Sequence, residues 1–82
     1  MSVRRQLDNL AGKRADDLAA ALRALGVPCR VEAREALGVV VIAPGERAFE
    51  QPAMRQEALN LARQHGFTHL AIEYGPVEPA GG

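Results

Sequence analysis

The sequence predicts an α+β fold, a two-layer sandwich in the order αββαβ with two helices on one face of a small, mostly antiparallel sheet. Three observations carry this. The run Leu37-Gly38-Val39-Val40-Val41-Ile42-Ala43 holds three consecutive valines, stiff at χ1 and better fitted to a pleated surface than to a helix. Leu7, Leu10, Ala11, Leu18, Ala21, Leu22 and Leu25 recur at helical spacing and form one apolar stripe. Punctuation at Gly26 and Pro28, Pro44-Gly45, Gly66 and Gly75-Pro76 cuts the chain into pieces of helix or strand length.

In chain order, the first helix is strongest over Ala15 to Leu25, with Asp16 and Asp17 where its dipole favours acids. Gly12 leaves two readings of what precedes: one helix from about Val3, which we adopt, or an edge strand over Ser2 to Leu7 with the helix starting near Lys13. Gly26 is placed to cap the helix and Pro28 prevents its continuation. Cys29 to Arg34 then alternates, Cys29, Val31 and Ala33 against Arg30, Glu32 and Arg34, the pattern of a half-exposed strand. Glu35-Ala36 joins it to the valine run as an antiparallel hairpin. A polar loop over Glu46 to Gln51 contains Phe49, and a second helix starts near Pro52 and ends at Gly66, with Met54, Ala58, Leu61 and Ala62 on one face. Phe67 to Tyr74 is the last strand, with Leu70, Ile72 and Tyr74 opposite His69, Ala71 and Glu73. Residues 1–75 make one domain, and 76–82 read as a disordered tail.

This order resembles a ferredoxin-like plan without its first strand, which in the full plan lies between the central and last strands. Either those two strands pair in parallel or another strand fills the gap. The valine run is apolar on both sides, so we expect Leu37, Val39, Val41 and Ala43 to face the helices and Val40 and Ile42 to lie on the open face with Ala71. Ringed by Arg30, Glu32, Arg34, His69 and Glu73, that patch has the anatomy of a protein interface.

Length and charge bound the function. Eighty-two residues make a domain whose marginal core self-association would help. Net charge is zero, which opposes binding by bulk attraction to nucleic acid or acidic lipid. The zero hides a gradient: residues 1–34 carry seven Lys or Arg against four acids, and the rest three against six. Arg4, Arg5, Lys13 and Arg14 therefore keep nucleic acid as the alternative partner. Cys29 is the only cysteine, so no internal disulfide forms and the expected address is cytoplasmic. No apolar run approaches a membrane span.

The chemistry of sites is sparse. Ser2, Thr68 and Tyr74 are the only hydroxyls, no Gly-rich phosphate loop is present, and Gly66 separates His65 from His69, so neither nucleophilic catalysis, a cofactor nor a metal is expected. The ending Gly81-Gly82 resembles the tails of ubiquitin-like and sulfur-carrier proteins, which implies a carrier as a further alternative, although those folds open on a β-hairpin and this chain on a helix. The leading expectation is a non-enzymatic, bacterial-type accessory or regulatory module. It would bind itself or another protein through the open sheet face or an unpaired strand edge, with no small-molecule ligand.

Overall fold

The computed structural model describes the backbone of residues 3–77 and the side chains of residues 12–77. The side chains of Arg4 and Arg5, and Gly81-Gly82, lie outside them. Helix α1 spans Val3–Ala24, strand β1 Arg30–Arg34, β2 Leu37–Ile42, α2 Pro52–Gln64 and β3 His69–Tyr74, with a 3-10 turn at Ala48–Glu50 before α2. The order is αββαβ, and α1 runs unbroken through Gly12.

Both helices end on the same device. Gly26 and Gly66 adopt φ of 93° and 91°, a region open to a residue without Cβ. The next amide then reaches back to the last turn, Val27 N to Leu22 O at 3.1 Å and Phe67 N to Ala62 O at 2.9 Å. Each reversal plants a large apolar residue in the core, since Val27 and Phe67 are both buried. At the start of α2, Pro52 occupies the first turn, where its missing N–H costs nothing.

The sheet runs β1-β2-β3, with β1 antiparallel and β2 parallel to β3. It is a mixed sheet, one ladder antiparallel and one parallel. The gap expected from the ferredoxin-like plan is closed by direct parallel pairing of β2 with β3 across α2. Both helices lie on one side. There Ala15, Leu18 and Leu22 of α1 and Ala58 and Ala62 of α2 enclose Val40, Ile42, Cys29, Phe49 and Phe67, with Val31, Ala33, Leu70 and Ile72 packed around them. Phe67 lies over Gly38, where a Cβ would come within 3.3 Å of the ring, so the strand's one glycine makes room for one of the core's two phenylalanines.

The phase of β2 differs from the sequence expectation. Val40 and Ile42 are fully buried beneath the helices, and Leu37, Val39 and Val41 take the other face. The cause is the hairpin: a two-residue connection through Glu35, in left-handed conformation at φ 57°, pairs Arg34 with Leu37. Cross-strand partners share a face, so the parity of Arg30, Glu32 and Arg34 extends to Leu37, Val39 and Val41.

Candidate functional site

Two surfaces face away from the helical core: the open face of the sheet and the outer edge of β3. The open face collects Arg30, Glu32 and Arg34 from β1 and His69, Ala71 and Glu73 from β3, on either side of Leu37, Val39 and Val41. Five of the seven residues singled out as an interface, Arg30, Glu32, Arg34, His69 and Ala71, are thus brought together; Val40 and Ile42 are not.

This face is already covered by its own chain. Glu32 accepts a close ion pair from Arg30 Nη1 and a second, at 3.3 Å, from Arg34 Nη2. The hydrogen bond from Arg30, its charge, and the weaker contribution of Arg34 hold the Glu32 carboxyl below its ordinary pKa. Arg30 also extends past β2, its Nε donating to Pro76 O at 3.1 Å, and Gly75 lies beside Val41, within 3.3 Å of its Cγ1 for a Cβ built there. As a result Val39 and Val41 keep only 1% and 2% of their surface. Two valines under a charged lattice leave little apolar area to drive docking on this face. Pro76, assigned to the tail in the sequence reading, is thereby held to the sheet.

The cations of the nucleic-acid alternative are engaged where they can be followed. Lys13 Nζ pairs with Asp17 at 3.2 Å along α1. Arg14 turns inward, its guanidinium 5.7 Å from the centre of the Phe67 ring and its Nη1 3.5 Å from Gly66 O. It clamps α1 onto the end of α2, a structural task.

The edge of β3 is built differently. His69 N donates to Ala36 O and Gly75 N to Ile42 O, so the odd-numbered residues of β3 bond to β2. By the alternation of a strand, the N–H and C=O groups of Leu70, Ile72 and Tyr74 point outward, away from the sheet. Beside them opens a hollow of about 160 Å³ lined by Arg55, Ala58 and Leu59 of α2 and by Leu70 and Ile72 of β3. Tyr74, aligned with these two on the helix side of the strand, is 62% exposed. The opposite edge is defended: β1 has five residues, three of them charged, and only Val31 and Ala33 direct backbone groups outward.

The signal for this edge was in the letters. Leu70, Ile72 and Tyr74 have the right parity, and α2 opposes them with Ala58 and Leu59, too small a set to cover an edge strand. Sequence reasoning offered an unpaired strand edge without saying which; what it missed is that the free groups of β3 lie beside apolar side chains of α2.

Burial pushes the Cys29 thiol up in pKa against the opposing charge of Arg23, whose Nε donates to Cys29 O at 3.2 Å. Glu46 accepts from the amides of Arg47 and Ala48 at 3.1 and 3.0 Å, just before the 3-10 turn. Among the described residues no group of three His, Cys, Asp or Glu is placed to hold a metal, and no helix is long and apolar enough to cross a membrane. Comparison with protein-family models, curated proteins and solved structures found nothing that matches this chain.

Proposed function

We propose that this chain is a non-enzymatic protein-interaction module that docks polypeptide by strand addition to the outer edge of β3. The observation that carries the reading is the coincidence of outward backbone groups at Leu70, Ile72 and Tyr74 with an apolar hollow beside the same residues. Strand addition uses both parts: main-chain hydrogen bonds supply affinity, and pockets beside alternate residues supply selectivity. The interface thereby moves from the sheet face to the strand edge, the second of the two surfaces that the sequence suggested. An accessory or regulatory role and a cytoplasmic address belong to the same proposal, the address supported by a lone, buried cysteine.

Site-specific photocrosslinking in cells tests it. A benzophenone amino acid at Tyr74 should give a polypeptide adduct of higher mass, while the same probe at Gln56, on the exposed surface of α2, should not. No adduct from position 74, or equal adducts from both, overturns the proposal.

A further inference from the structure

The edge of β3 is complementary to itself. We infer that its occupant is a second copy of this chain, its β3 paired antiparallel across a two-fold axis at Ile72, so that two three-stranded sheets join into one of six strands; this rests on the docking edge proposed above.

The register follows from which groups are free. Outward-facing residues must pair with outward-facing residues, because only these can exchange both of their hydrogen bonds. The choice that uses the whole strand sets Ile72 against Ile72 and Leu70 against Tyr74 on each side. These pairs supply about six backbone hydrogen bonds. Side chains agree with the backbone. On the helix side, each Tyr74 ring comes over Leu70 of the second copy, beside the hollow next to Leu59; a cavity of similar volume, about 150 Å³, is known to admit a benzene ring. On the open side, Glu73 faces Ala71 of the second copy and His69 faces Gly75, so no like charges are set directly opposite each other.

Size decides how strong this can be. The exposed fraction of two Tyr74 rings offers about 200–300 Å². That is a fraction of the roughly 1,000 Å² that a specific interface needs, and the paired strands must supply the rest. The dimer is therefore weak and concentration-dependent.

Sedimentation equilibrium combined with a mixed-label NOE experiment tests the inference. The chain should dimerise with Kd about 10–100 µM, and Tyr74→Pro, which removes an outward N–H without touching the bonds to β2, should weaken this at least about tenfold. Tyr74→Lys should do the same while leaving the backbone unaltered, so that loss of dimer can be separated from loss of fold by circular dichroism. In a mixed-label dimer the Tyr74 ring should show NOEs to Leu70 methyls, which within one strand lie about 13 Å away. A monomer at about 500 µM, a dimer indifferent to both substitutions, or a dimer without that NOE overturns the inference. Should the chain stay monomeric while a probe at position 74 still captures another polypeptide, the docking edge stands and the second copy falls.

Discussion

Gly26 and Gly66 occupy equivalent places at the ends of α1 and α2, with nearly equal φ, but their surroundings differ. A Cβ at Gly26 meets nothing within 4 Å, whereas one at Gly66 lies 2.8 Å from Arg14 Nη1 and 3.0 Å from its Cδ. Gly26→Ala should therefore cost only the left-handed conformation, about 1–2 kcal/mol. Gly66→Ala should cost that and the displacement of Arg14 from Phe67. Urea denaturation of both variants checks this, and equal losses would mean that the Arg14 clamp contributes nothing. The glycines were legible as caps because nothing else suits the position. The clamp was not, since it joins Arg14 to Gly66, 52 positions away in the chain, and to Phe67 beside it.

At the scale of elements, β1 carries a charge ladder whose centre is Glu32. Its carboxyl is held below the ordinary value of 4.5 by Arg30 first and Arg34 second, so the folded state favours the ionised form. That stabilisation is present above the ordinary pKa and disappears as pH falls through the lower, folded one. Compared with Glu32→Gln, the wild-type protein should lose more stability between about pH 5 and pH 3, and the difference between the two should vanish at the acid end. Parallel urea titrations of the two proteins check it; a constant offset through acid would contradict it. Element identity along the chain was legible because α1, β1 and β3 each present one apolar and one polar side. The phase of β2 was not legible from β2 itself, since Leu37, Val39 and Val41 are as apolar as Val40 and Ile42, and a one-residue slip leaves its pattern unchanged. It was recoverable from its neighbour, because the two-residue turn at Glu35-Ala36 ties Leu37 to the face of Arg34.

For the whole molecule, an open three-stranded sheet has two edges, and this one treats them unequally. The β1 edge is short and charged, and the β3 edge is longer, less charged and set beside an apolar hollow. The sequence leads one to expect an uncovered apolar surface on the sheet face; among the described residues that face is closed, and the apolar side chains beside free backbone groups are those of the β3 edge. The face is closed by Arg30 reaching to Pro76, a contact between β1 and the segment after β3 that no local pattern announces. The most direct measurement on the β3 edge is residue-resolved amide hydrogen exchange from about 10 µM to about 500 µM protein. Exchange at Leu70, Ile72 and Tyr74 should slow as concentration rises, while the amides of Ala71 and Glu73, bonded to β2, should not respond. Concentration-independent exchange at all five, or slowing confined to Val31 and Ala33 on the other edge, would contradict the account.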